Sequence, residues 1–181
     1  MQTMNNISSM RQLYDTTSEI RLLVDMVVPD SNSLLESFFR PKKKISTRTA
    51  VTIACIFARR ALPIVHEYHP NDNRSIRAVE ATEKWAKQLV MLPRFSHEEI
   101  VERAHAAANA FSGSAKYAAL AAAYCAETTQ VSIIANIAYK IPLTAVSAIS
   151  AIESHYGKEQ GEKERIEQCN IFRKIVPNPY A

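Results

Sequence analysis

Apolar residues near the start of the chain recur every three to four positions with charged residues between them, as on one face of a helix. This pattern predicts a helix over residues 7–27, ended by Pro29, and a short turn of helix over 34–39. A basic connector follows at 40–44, and Ser46 or Thr47 is placed to cap a helix that runs to about His66. Pro63 removes a backbone donor within that helix, so it predicts a kink or an early end near residues 58–60.

The clearest turn predicted by the sequence spans residues 69–73, His-Pro-Asn-Asp-Asn. Proline biases the residue before it away from helix, and Asn and Asp side chains bond their own backbone. Asp72 or Asn73 is expected to cap a helix that ends near Leu89. Ser96 and Glu99 have capping-box spacing, which predicts the start of a helix reaching about residue 111.

Alanine dominates from residue 104 to 151, and small side chains let helices approach closely. The pattern predicts helices over 115–124, 127–139 and 143–155, with a break before Pro142 and a stop at Gly157. A charged last helix is expected over 158–174. With only three glycines in 181 residues, there is little turn chemistry for hairpins.

The fold class predicted from these patterns is all-α, a multi-helix bundle of antiparallel helical hairpins with an Ala-rich core. We expect one domain over residues 1–181, because the length suits a single core. Within it we distinguish N-terminal helices and the basic connector (1–44), a helical core (45–155), and a C-terminal helix with its tail (156–181).

Composition excludes several functions. The formal net charge of +4 is mild, and the basic connector lacks interleaved aromatic residues, so nucleic-acid binding is not expected. Cys55, Cys125 and Cys169 lack Cys-x-x-Cys spacing and are interpreted as buried, reduced thiols of a cytoplasmic protein. No signal peptide or membrane span is predicted. Histidines spaced for a metal site are lacking, no cofactor is indicated, and neither a nucleophile motif nor a paired acid and base suggests an enzyme.

Polar and aromatic groups concentrate between residues 58 and 85. Arg59 and Arg60 are expected to end one helix, whereas Arg74, Arg77 and Glu80 begin the next, so an antiparallel hairpin would bring both sets to one end of the molecule. On a structural interpretation, Glu80 pairs with Arg77 and the other groups cap or pair internally.

A functional interpretation remains open beside the structural one. Asp72 is a capping candidate and Trp85 a core candidate. Guanidinium groups left unpaired beside His69 and Trp85 could instead hold a carboxylate or phosphate, with the indole stacking on a planar group. The candidate binding residues are therefore Arg59, Arg60, His69, Asp72, Arg74, Arg77, Glu80 and Trp85.

Three motifs carry a family resemblance: Ala-Arg-Arg-Ala-Leu-Pro at 58–63, His-Pro-Asn-Asp-Asn-Arg at 69–74, and Ala-Val-Glu-Ala at 78–81 with Trp85 beyond it. With the Ala-rich block that follows, residues 45–151 resemble the immunity proteins of bacterial polymorphic-toxin systems, the fifth of the numbered Imm families. The resemblance implies an all-helical, non-catalytic protein that acts by binding. The residues that match the family's motifs are Arg59, Arg60, Asp72, Arg74, Glu80 and Trp85.

The chain departs from that family's pattern in its Ala-rich block. Gln130, Asn136 and Lys140 stand where relatives tend to carry histidines and arginines, and the two ends have no counterpart. The resemblance implies a protein toxin or defence effector as partner. The departures leave open a phage or mobile-element protein that sequesters an anionic small molecule, such as a nucleotide immune signal, in an Arg/Trp-lined pocket. Assembly into a homo-oligomer is also left open.

Overall fold

A computed structural model describes residues 46–87, 94–129 and 134–176 of the chain. The helices predicted over 7–27 and 34–39, the basic connector and the end of the tail lie outside these residues. The described part is all-α, as predicted, and contains six helices. They are α1 (Thr47–Tyr68), α2 (Arg74–Ala86), α3 (Arg94–Ala110), α4 (Gly113–Glu127), α5 (Ile134–Tyr156) and α6 (Lys158–Ile175).

Helix α1 begins where the sequence predicts. The Ser46 side chain accepts a hydrogen bond from the backbone N–H of Thr49 at 3.1 Å, as an N-cap does. The early end expected from Pro63 was wrong, because α1 continues through this residue to Tyr68. Burial of Leu62, Ile64 and the residues around them favours continuation of the helix and outweighs the cost of the missing backbone donor.

Helices α2 and α3 confirm the predicted elements but not all of their ends. Asp72 holds the start of α2, since its Oδ1 accepts the backbone N–H of Arg74 at 3.1 Å, while the Asn73 side chain forms no capping hydrogen bond. Helix α3 begins at Arg94, two residues before Ser96, so the capping box predicted at Ser96 was misplaced.

The predicted break before Pro142 was also wrong, because one helix, α5, passes through it. Ile141, Ala145, Ala148 and Ile152 recur at helical spacing and are all buried. A proline inside a helix costs about 3 kcal/mol, and burying this continuous apolar face offsets that cost. Gly157 ends α5 as predicted, with a φ of 93° that a side chain would strain.

The core draws on all six helices, and alanines make up much of it. Helix α4 packs extensively against α5, and α1 lies against both of them as well as α2 and α6. Among the described helices, α1 has a length and mean hydropathy (1.3) that would suffice to cross a bilayer, and 61% of that stretch is buried inside the protein. Burial against neighbouring helices accounts for its apolar composition. All three cysteines are buried, as predicted.

Candidate binding surface

The turn between α1 and α2 is held rigidly against the rest of the molecule. The backbone N–H of Asp72 donates to the His69 carbonyl at 3.0 Å, which closes the turn. The His69 ring stacks on Phe111, just beyond α3, with centroids 3.8 Å apart and planes 6° from parallel. This contact pins the turn to a residue more than forty positions away. His69, a candidate binding residue, therefore positions the turn.

Asp72 and Arg74 neutralise each other within this turn. Arg74 Nε donates to Asp72 Oδ1 at 3.0 Å, and Arg74 Nη2 donates to Asp72 Oδ2 at 2.5 Å. The hydrogen bonds from Arg74 hold the pKa of Asp72 below its usual range, and the same bonds raise the pKa of Arg74. The pair gives the turn a fixed shape with little net charge.

Arg59 and Arg60 do not lie at the end of a helix, which corrects the expectation from sequence. Arg59 lies nine residues before the end of α1, and at 1.5 Å per residue this places it about 13 Å from the turn. It forms a two-pronged ion pair with Glu83 of α2, at 2.8 and 2.9 Å. The next residue, Arg60, pairs instead with the buried Glu164 of α6 at 2.7 Å. The two guanidinium groups thus bind different helices.

The remaining three candidates lie on α2. Arg77 and Glu80 are exposed, and in the described part of the chain their side chains form no ion pair, so the predicted pairing of the two is not seen. The pKa of Arg59 is raised mainly by the hydrogen bonds that it donates to Glu83, and the charge of Glu80 lies close enough to add to this effect. Trp85 is half-buried and packs against the core.

The structure adds a cluster that the sequence did not reveal. Tyr68 ends α1 and Tyr156 ends α5, with side chains 54% and 56% exposed, and the ring of His155 lies between them. A hydrogen bond joins Tyr68 Oη and His155 Nδ1 at 3.1 Å, and His155 Nε2 lies 3.2 Å from a carboxylate oxygen of Glu67. The partners are 87 residues apart in sequence, so no local pattern could have predicted the cluster.

A wide depression of about 660 Å³ is lined by residues 68–74, from Tyr68 to Arg74. One of the two exposed tyrosines therefore forms part of its wall. We call the surface made by residues 68–74 together with His155 and Tyr156 the turn surface. It combines exposed aromatic rings, backbone groups of a fixed turn and an internally paired charge.

A second polar cluster lies between α3, α4 and α5. The two carboxylate oxygens of Glu127 contact His105 Nε2, at 2.5 Å, and Lys140 Nζ, whose ammonium lies 5.2 Å from the centroid of the Tyr124 ring. His105 and Lys140, two polar positions of the Ala-rich block, are thus paired with Glu127 inside the chain, and the ring of Tyr124 lies near both. The described residues contain no group of three or more His, Cys, Asp or Glu side chains that could hold a metal ion.

Over the described residues, these features define an all-helical fold with two exposed tyrosines beside an ordered turn. A family model described as Imm-5 like putative immunity protein matches residues 41–174. The chain belongs to this family. The match confirms the resemblance based on the motifs between residues 58 and 86, and membership indicates a toxin-neutralising role in general and favours a non-catalytic one. No curated protein and no solved structure matches the chain.

Proposed function

We propose that this protein neutralises a protein toxin or effector in the cytoplasm by binding it through the turn surface, without catalysis. Membership in an immunity-protein family supports the general role. The observation that supports the turn surface as the binding site is the pair of exposed tyrosines, Tyr68 and Tyr156, which lie on either side of His155 beside the turn.

Tyrosines arranged in this way suit recognition of a protein. A tyrosine offers a large apolar face and a polar hydroxyl at a small cost in side-chain entropy, and tyrosines are enriched among the residues that dominate binding energy. His155 reduces that cost further, because its contacts with Tyr68 and Tyr156 restrict both rings before any partner arrives. The ion pair between Asp72 and Arg74 keeps the adjoining turn in one shape.

The hypothesis of a sequestered nucleotide remains a prediction. It requires several guanidinium groups free to hold phosphates, whereas Arg59, Arg60 and Arg74 each engage a carboxylate of this chain. The hypothesis also invokes Arg77, which forms no ion pair with a carboxylate in the described part of the chain. No feature of the turn surface favours a phosphate over a protein side chain.

The proposal is tested with Tyr68→Ala, Tyr156→Ala and the double variant, each co-expressed with a toxin from which the natural protein protects cells. Loss of a tyrosine that dominates an interface costs about 2 kcal/mol, so each single variant is expected to bind the purified toxin roughly thirtyfold more weakly. Protection of cells should fall further in the double variant.

Tyr117→Ala is the matched control, because Tyr117 is also exposed (43%) but lies on α4 and does not line the depression at the turn. It should bind and protect as the natural protein does. Thermal unfolding of all four variants should stay close to that of the natural protein, since the rings are largely exposed. Full protection by the double variant would exclude the turn surface as the binding site.

A further inference from the structure

Next to the turn surface, a groove of about 430 Å³ runs between the end of α5 and the first half of α6. Tyr156 belongs to both, so the groove continues the turn surface. Ile152 contributes a buried apolar group, while Arg60, Lys163, Glu164 and Glu167 provide the charges that line it. The chemical group that could bind in the groove depends on which of these charged side chains already form ion pairs within the chain.

One carboxylate that lines the groove forms no direct ion pair with another described residue. Glu164 is 5% exposed and accepts hydrogen bonds from Nε and Nη2 of Arg60. Lys163 forms an ion pair with Glu159, with its Nζ 2.8 Å from the carboxylate. Each of these two ion pairs has no net charge. Glu167 is half-buried and forms no ion pair within the described residues. Its charge nevertheless helps raise the pKa of Arg60, which is raised mainly by the hydrogen bonds that Arg60 donates to Glu164. A partly buried carboxylate that no side chain contacts directly can still accept N–H groups from a cation at short range.

The groove also offers the aromatic face that a cation prefers. Tyr156 is 56% exposed and lines the same groove as Glu167. A guanidinium group is planar, stacks on aromatic rings and donates to carboxylates, and it is less strongly hydrated than an ammonium group. From this charge complementarity we propose that the groove binds an arginine side chain of the protein partner, with Tyr156 against the guanidinium plane and Glu167 accepting its N–H groups. The identity of the partner as a toxin rests on the proposed function, whereas the chemistry of the groove does not.

The experiment titrates the full-length, isotope-labelled chain with a capped Gly-Arg-Gly tripeptide and follows its amide resonances by NMR. Shifts are expected at Tyr156, Gln160 and Glu167. The same tripeptide with citrulline, the neutral isostere of arginine, should give little or no shift. Glu167→Gln should weaken binding of the arginine peptide about threefold to tenfold, the range expected for a partly exposed ion pair.

Glu102→Gln is the matched control, since Glu102 is exposed on α3 and does not line the groove. It should leave the titration unchanged. Equal shifts with citrulline, no shifts at the groove, or unchanged binding by Glu167→Gln would each overturn the proposal. The citrulline comparison uses the natural chain, so it decides the question even if Glu167→Gln folds poorly.

The outcome separates this inference from the proposed function. If the tripeptide fails to bind the groove while the Tyr68→Ala variant still loses protection, the arginine site is wrong and the turn surface stands. If the tripeptide binds as expected while the tyrosine variants protect fully, the groove recognises guanidinium groups but the toxin does not dock at the turn surface.

Discussion

Single residues contribute unequally to the stability of this protein, and Glu164 and Glu83 show why. Both accept a two-pronged ion pair from an arginine of α1. Glu164 is 5% exposed and also accepts a hydrogen bond from Gln168, whereas Glu83 is 26% exposed. Water solvates a carboxylate near the surface and screens its pairs, but it cannot replace a partner lost in the interior.

We therefore expect Glu164→Gln to destabilise the fold by about 2 kcal/mol, because Arg60 and Gln168 lose a buried acceptor. Glu83→Gln is the matched control and should cost about 0.5 kcal/mol. Urea unfolding of the two variants and the natural chain measures both values. Equal losses in the two variants would show that burial does not set the strength of these ion pairs.

His97 gives the protein a dependence on pH. Its ring is buried, contacts the hydroxyl of Thr129 and lies 3.2 Å from the Ala126 carbonyl. Burial lowers the pKa of His97 below its ordinary value, because it disfavours the charged imidazolium. The folded chain therefore binds this proton more weakly than the unfolded chain does.

It follows that the stability contributed by neutral His97 is present above its unfolded pKa of about 6.5 and is lost as the pH falls through that value towards the folded pKa. As the pH falls from neutral to mildly acidic, the free energy of unfolding should decrease less in His97→Gln than in the natural chain. Chemical unfolding at several pH values tests this, with exposed His66→Gln as control. An identical pH profile in His97→Gln would remove His97 as the cause.

At the scale of elements, Gly161 sets how closely α6 approaches α5. It is buried in the second turn of α6, and a Cβ placed on it would lie 2.6 Å from the Cβ of Glu153 on α5. That atom is fixed to the backbone of α5, so the two helices would have to move apart. The absence of a side chain at residue 161 is a packing requirement.

Gly161→Ala is accordingly expected to destabilise the protein by up to about 2 kcal/mol. Alanine gains about 1 kcal/mol over glycine in helix propensity, but overpacking costs about 1–3 kcal/mol. Gln160→Ala, at an exposed neighbouring position, should change stability by less than about 0.5 kcal/mol. Thermal unfolding compares them, and a stabilised Gly161→Ala variant would show that the helices adjust freely.

At the scale of the whole molecule, one core connects all six described helices, so they should unfold together. Trp85 reports on α2, where it packs against that core, and it is the only tryptophan of the chain. We expect the midpoint of urea unfolding followed by Trp85 fluorescence to coincide with the midpoint followed by far-UV circular dichroism. An earlier fluorescence transition would mean that α2 separates before the other helices melt.

The elements that could be predicted are those controlled by neighbouring residues. The Ser46 cap, the turn at 69–73 and the stop at Gly157 each depend on backbone chemistry within a few positions, and the structure confirms all three. The early end predicted at Pro63 and the break predicted before Pro142 were wrong for the opposite reason. Distant apolar partners bury the faces on both sides of each proline, and that gain exceeds the local cost.

The candidate site divides in the same way. Sequence alone determined the all-α class, the motifs of the immunity family and the turn that carries Asp72 and Arg74, because composition and local spacing fix these features. Only the tertiary structure decided that Arg59 and Arg60 form ion pairs with different helices, and that Tyr68 forms a hydrogen bond with His155. Contacts between residues that are tens of positions apart depend on how helices pack, and helix packing is set by the whole core rather than by any one segment.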